Sequence, residues 1–419
     1  MTLLVVLILL LLLFLGAPVF AVISAGALYA FYYVGIDFSN FLVETMRLAS
    51  MPALIAIPLF TFAGYVLAES NAPKRALNLA NSLFGWMPGG LAIVALCTAA
   101  IFTAFTGASG ITIIALGGLL YPMLTKQGYP ENFNLGLLTT TGSLGLLFPP
   151  SLPIILYGLV AQISIDKLFK AAAIPGILLI IMLCTYALIT GKKAHIPSIP
   201  FSMSNLKKAV RESIWEIPLP FLVIGGIYAG WFTATDAASI MAFYVVICEF
   251  FIYKDLSITK DLPKITTGSM VLVGAIFMVL ASALGLTNYF IDEQIPEKIF
   301  SWLHTVSESK IIFLVILNIF LLIINMIEIF SAIIIVVPII TPIAASYGID
   351  PIHLGIIFLL NLEIGYMTPP FGLNLFLANR RFEKPLSKLY VSVIKFWVMM
   401  VIALLVVTYF PPLSLWLIK

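Results

Sequence analysis

Long apolar stretches alternate with short polar ones through most of the chain. Residues 3–34, 171–190, 214–231, 237–253, 265–286 and 390–410 each match or exceed the roughly 17–25 apolar residues that carry a helix through the hydrocarbon. The first, 3–34, reads as one retained helix: it has no basic start like that of a signal peptide, and its apolar run continues through Gly16-Ala17-Pro18. Two regions depart from this rhythm. Residues 91–105 and 111–124 are too short to span comfortably and flank Thr106-Gly107-Ala108-Ser109-Gly110, which predicts a re-entrant hairpin at about 91–124. Residues 311–327 and 332–345 flank Glu328-Ile329-Phe330-Ser331 in the same way, predicting a second hairpin at about 311–346. A broken helix follows each. One, at about 134–161, is interrupted by Thr139-Thr140-Thr141-Gly142-Ser143-Leu144-Gly145 and by Pro149-Pro150-Ser151; the other, at about 354–378, by Gly365-Tyr366-Met367-Thr368-Pro369-Pro370.

The two regions are copies. A shift of about 220 positions lays Pro122 on Pro342, Gly128 on Gly348, Gly145 on Gly365 and Pro149-Pro150 on Pro369-Pro370. Charge sets their orientation. The loop 191–211 carries Lys192, Lys193, Lys207, Lys208 and Arg211 and reads as cytoplasmic, while Asp292, Glu293, Glu297 and Glu308 mark an external segment. Residues 162–170 then fall outside, whereas their repeat partner holds Arg380, Arg381, Lys384 and Lys388, so the repeats are predicted to be inverted. The expected organisation is N-terminal scaffold helices with an amphipathic segment (1–85), a first transport repeat (86–190), central scaffold (191–309), a second transport repeat (310–410) and a short tail (411–419).

Composition narrows the class. Of 419 residues, 62% are hydrophobic and 10% charged, against roughly 25% charged in soluble domains, and the mean hydropathy is +1.12. The fold class is therefore an all-α polytopic membrane protein. Cys97, Cys184 and Cys248 sit in apolar stretches, and His195, His304 and His353 lie far apart, so neither a disulfide framework nor a zinc site is predicted. The formal charge of +3 carries no basic patch for nucleic acid, and no Ser/His/Asp set, HExxH or paired intramembrane Asp supports an enzyme.

Broken helices have a physical meaning here. Backbone freed from a helix persists at membrane depth only where protein or a water-filled cavity satisfies it, and duplicated breaks near the midplane are the plan of secondary transporters. Half-helices starting near Gly110 and Ser331 present unpaired N–H groups that favour an anion. Carbonyls freed at 142–147 and 365–368, with the hydroxyls of Ser109 and Thr368, are hard oxygen ligands for a cation such as Na+. Glu328 and Glu363 are the acids set deepest in apolar sequence, the first at a hairpin tip; a protonated or interfacially solvated carboxyl is the plainer reading of each. The candidate substrate-binding residues are Ser109, Gly110, Ser143, Ser151, Glu328, Ser331 and Asn374. Packing and kinking are the alternative for the small residues, and backbone satisfaction for Asn325, Asn361, Asn374 and Asn379.

At these motifs the chain resembles the large permease subunit of tripartite ATP-independent periplasmic (TRAP) transporters of the dicarboxylate and sialic acid type. The likeness runs through Gly16-Ala17-Pro18, Ala56-Ile57-Pro58-Leu59-Phe60, residues 102–110, Leu146-Leu147-Phe148-Pro149-Pro150-Ser151, Phe232-Thr233-Ala234-Thr235-Asp236 and Thr368-Pro369-Pro370-Phe371-Gly372-Leu373-Asn374. It implies a sodium-driven importer of C4-dicarboxylate, sialic acid or similar carboxylates in the bacterial inner membrane. It further implies a periplasmic substrate-binding protein, a separate small four-helix membrane subunit, and an elevator movement of the kind used across the ion transporter superfamily. Sodium sites at the hairpin tips and broken helices would fall, by the same resemblance, at Ser109, Gly142, Gly145, Pro149, Gly365 and Thr368. The tip sequences Thr-Gly-Ala-Ser-Gly and Asn-Met-Ile-Glu-Ile-Phe depart from the family's usual serine-rich and Gly-plus-acid forms. The alternatives are a stand-alone sodium- or proton-coupled elevator symporter and a structural subunit without transport.

Overall fold

The computed structural model describes residues 2–15, 17–107, 109–196, 200–306, 308–324 and 329–418. Among them the regular structure is helical throughout. Seven helices are long and apolar enough to cross a membrane, or up to nine if each bent pair is one span, which makes the chain a multi-pass membrane protein. Two expected crossings come out differently. Residues 3–34 form two helices, α1 (Thr2–Phe14) and α2 (Val19–Val34), because Pro18 supplies no N–H and holds an extended backbone (φ −57°, ψ 130°) at the start of α2. Within 214–231 the helix is only α12 (Pro218–Tyr228), opened by a proline at its first position and followed by Gly230 at φ 75°.

The elements between and around these are α3 (Ser39–Ala49), α4 (Ala56–Glu69), α5 (Ala72–Phe84), α6 (Gly90–Thr106), α7 (Ser109–Lys126), α8 (Glu131–Thr141), α9 (Leu152–Val160), α10 (Ile165–Lys193) and α11 (Met203–Glu212). After α12 come α13 (Ala234–Ile252), α14 (Asp261–Asp292), α15 (Ile295–Val306), α16 (Lys310–Ile324), α17 (Ile329–Ser346), α18 (Pro351–Gly365), α19 (Leu373–Phe382), α20 (Leu386–Tyr409) and the short α21 (Pro412–Leu415). The duplication is visible in this order: α5 to α10 and α15 to α20 follow one plan about 220 positions apart. Each copy begins with an amphipathic helix (α5, α15), continues through a pair of apolar helices (α6–α7, α16–α17), and ends in a broken helix (α8–α9, α18–α19) and a long crossing (α10, α20). The α8–α9 pair bends by 45°. Both breaks contain a cis bond, Pro149-Pro150 and Pro369-Pro370.

Helices α2, α4, α13 and α14 pack together as one group, tied in part by the Ser24 hydroxyl donating to Ser282 Oγ at 2.7 Å. Lipid tails are as apolar as the helices, so close backbone approach must do much of the work of association. At Gly64 an added Cβ would lie 2.5 Å from the Phe105 carbonyl oxygen, and at Gly136 2.2 Å from that of Ser392. At these two points α4 meets α6, and α8 meets α20, backbone to backbone. Asp236 closes a capping box with Thr233 at the start of α13, so its carboxylate serves the backbone.

Candidate functional site

The first hairpin is joined by the two residues between α6 and α7, and Ser109 starts α7 because Gly107, at φ 64°, ends α6 in the left-handed conformation. The hairpin folds over the first break. Thr103 Oγ1 lies 2.7 Å from Thr112 Oγ1 across the hairpin and donates to the Gly142 carbonyl at 3.2 Å. A Cβ on Gly142 would meet Ile113 at 2.6 Å and the Ser109 carbonyl oxygen at 3.2 Å, and one on Gly145 would lie 2.4 Å from both Ala100 O and Ala104 N. The first break is thus pressed against the hairpin, with two hydroxyls and two carbonyls drawn together in a fully buried place.

The second break joins the same assembly. Ser143 Oγ donates to the Glu363 carbonyl at 3.4 Å, and Asn374 Nδ2 donates to the Thr139 carbonyl at 3.1 Å. Thr368 Oγ1 donates to Ile364 O at 2.7 Å and accepts the Trp397 indole N–H at 2.9 Å. The Glu363 carboxyl is fully buried, and among the described residues neither of its oxygens has a side-chain hydrogen-bond partner. Ser151 Oγ and Asn374 Oδ1 are likewise buried without one.

Beside this assembly lies a cavity of about 450 Å³. Ser109 and Gly110 of the hairpin, Phe330 of α17, and Tyr366 and Leu373 around the second break line one side; Tyr65 of α4 and Leu272, Ala275, Ile276 and Val279 of α14 line the other. Ser109–Gly110 and the residues flanking Pro369-Pro370 therefore share one cavity. Of the other sequence-predicted residues, Gly142, Ser143, Gly145, Pro149, Ser151, Gly365 and Asn374 are buried and do not line the cavity, and Thr368 is half-buried against Trp397 of α20. Ser331 is buried one position beyond Phe330. Glu328, with Asn325-Met326-Ile327, lies outside the described residues. Among the described residues no three His, Cys, Asp or Glu side chains gather as a metal site, so a cation held here would rest mostly on hydroxyl and carbonyl oxygens.

Sequence reasoning passed over Thr103 and Thr112, although their nine-residue spacing straddles the hairpin tip. It also passed over Arg75. On α5 this guanidinium ion-pairs with Glu216 at 2.5 Å, Asp255 at 2.6 Å and Glu249 at 2.9 Å, and stands 3.8 Å above the Tyr253 ring. Burial alone would raise the Asp255 carboxyl, but hydrogen bonds from Asn71 and Arg75 hold it below its ordinary range. The cluster fastens α5, which leads into the hairpin, to the end of α13 and the turn before α12.

The arrangement agrees with known proteins. Residues 5–413 match the family model of the tripartite ATP-independent periplasmic transporter, DctM component. The C4-dicarboxylate TRAP transporter large permease protein DctM of Pseudomonas aeruginosa is 35% identical over 364 residues, covering 86% of this chain and 85% of that one. The ectoine/5-hydroxyectoine TRAP transporter large permease protein UehC of Ruegeria pomeroyi is 30% identical over 412 residues, 97% of this chain and 96% of that one. The isethionate TRAP transporter permease protein DctMQ of Oleidesulfovibrio alaskensis is 34% identical over 407 residues, 95% of this chain and 62% of its own length. In fold alone, the crystal structure of the Alcanivorax borkumensis YdaH transporter superposes with a TM-score of 0.63 at 16% identity, covering 99% of each chain. These relatives are named transporter permeases rather than enzymes, and the chain belongs to the DctM component family of tripartite ATP-independent periplasmic transporters.

Proposed function

We infer that this chain is the large membrane subunit of a sodium-coupled importer of small organic anions, placed in the bacterial inner membrane. The observation that carries the reading is the 450 Å³ cavity between the hairpin tip, the second break and α14, with the Thr103, Thr112, Gly142 and Ser109 oxygens packed behind the tip. Its size suits a small metabolite. Among its described lining residues none is Lys or Arg, so a carboxylate or sulfonate would rest on the N-terminal N–H groups of α7 and of α17. C4-dicarboxylate, isethionate and ectoine name the transporters of relatives, and we place this chain with the first two as a carrier of small anions, C4-dicarboxylates or sialic acid among them.

The donor set fits Na+. Hydroxyl and carbonyl oxygens are hard ligands for a hard ion, and the unpartnered Ser151 and Asn374 oxygens add two more near the breaks. At least two ion sites are proposed, one at Ser109, Gly142, Gly145 and Pro149, the other at Gly365 and Thr368. The repeats are read as inverted on their charged loops, with both hairpins riding past α4 and α14 in an elevator movement. Each net positive charge moved inward would contribute about 2.3 kcal/mol per 100 mV of membrane potential. A periplasmic binding protein delivers the substrate and a small four-helix membrane subunit completes the complex.

The test is uptake into proteoliposomes holding both membrane subunits. Uptake should require an inward sodium gradient and the loaded binding protein. Equal uptake with potassium in place of sodium removes the coupling reading; equal uptake of free substrate favours a stand-alone symporter.

A further inference from the structure

A second cavity, of about 200 Å³, lies between α5, α6 and the start of α12, and shares no lining residue with the first. Its walls are mostly aliphatic and aromatic, but two polar residues each carry an oxygen with no hydrogen-bond partner among the described residues. Among the described residues Thr98, 3% exposed, makes no hydrogen bond through its Oγ1; Glu216 lines the same cavity, and its Oε2 is buried with no donor of its own beyond the neighbouring Glu249 carboxyl. An apolar filling would leave both oxygens unsatisfied, which is costly for buried polar groups. Charge points the same way. Glu216 belongs to the cluster in which one guanidinium, Arg75, faces three carboxyls, so the wall is short of positive charge. Toward the outside the cavity ends at Leu83 and Ile101, which are 42% and 51% exposed, an apolar rim suited to hydrocarbon.

We propose that this cavity binds a membrane amphiphile with a primary ammonium head, its ammonium on Glu216 Oε2 and Thr98 Oγ1 and its chain running out between α5 and α6. A cavity of about 200 Å³ takes the head of one amphiphile and the first carbons behind it, not a whole lipid. An ammonium brings several N–H donors to two acceptors; a trimethylammonium brings none, and an anionic head would meet the carboxyls. The occupant would wedge α5 against α6, the first hairpin helix.

The test measures binding to the purified chain in complex with its small subunit, by native mass spectrometry or thermal shift, with matched single-chain probes. Lysophosphatidylethanolamine should bind at least about tenfold more tightly than lysophosphatidylcholine. Ala80→Phe, which fills the cavity, should abolish this binding, and Thr98→Val should reduce the preference several-fold while leaving the Arg75 cluster untouched. Glu216→Gln should erase the preference. The proposal is overturned if the two probes bind equally, as they would if Glu216 and Glu249 simply shared a proton, or if the preference survives Ala80→Phe. Binding is read directly, so the outcome is separate from the transport reading above.

Discussion

The two helix breaks carry the same Gly-x-x-x-Pro-Pro spacing yet sit in opposite surroundings. From Thr141 to Ser151 the first is buried almost throughout, clasped by α6 on one side and linked through Ser143 to α18 on the other. The second opens outward: Pro370 and Phe371 are exposed, Phe371 by 66%, and its freed groups take partners from α20, with Trp397 donating to Thr368 and the Tyr390 hydroxyl to the Pro370 carbonyl. Duplication supplied one backbone device twice, and the neighbours gave it two characters. At the first break backbone packs against the backbone of a neighbouring helix with no slack; at the second, local backbone turns such as Asn374 N–H to Tyr366 O are supplemented by side chains from α20.

This contrast predicts unequal responses to similar changes. The largest effect belongs to Gly145→Ala. Its Cβ would stand 2.4 Å from two backbone atoms of α6, neither of which can rotate away, so a loss of about 3 kcal/mol or more is expected, seen as failure to recover folded protein. Recovery of normal amounts of folded, active protein would show that the first break has the slack denied to it here. Next come the hydroxyls. Thr103→Val removes the group that joins Thr112 to the Gly142 carbonyl in a fully buried place, and should raise the sodium concentration for half-maximal uptake about tenfold. Thr368→Val frees only the half-buried Trp397 indole and should shift it two- to threefold, a cost of about 0.5 kcal/mol. Reversal of that order would make the second break the tighter ion site. The smallest effect is Phe371→Ala on the open side, where thermal unfolding should move by no more than about 0.5 kcal/mol.

Much of this could be read from the residues. The short apolar pairs around Gly107 and Phe330, the Pro-Pro breaks and their offset of about 220 positions locate the two hairpin regions and broken helices, because a spanning helix needs length and these segments lack it. Periodicity misjudged residues 3–34, since hydropathy counts Pro18 as one apolar position among many while the backbone treats it as a stop. Tertiary pairing was beyond reach. Thr103 and Thr112 look like ordinary small residues of membrane helices until the hairpin folds them to 2.7 Å, and Arg75 looks like a solvated charge on an amphipathic helix. Its carboxyl partners arrive from more than a hundred residues away, one of them, Glu249, fully buried in the π-helical end of α13. Pairings at such separation leave no trace in a single sequence.

The α14 wall of the larger cavity has a mechanical corollary. Leu272, Ala275, Ile276 and Val279 offer the hairpin tip no donor and no acceptor. Dispersion contacts are re-formed as fast as they are lost when one smooth apolar face shears along another, whereas a hydrogen bond must be broken before its successor is made. In the proposed elevator movement, friction at that seam would be set by side-chain shape alone, and a single serine or asparagine planted on this stretch of α14 would act as a brake.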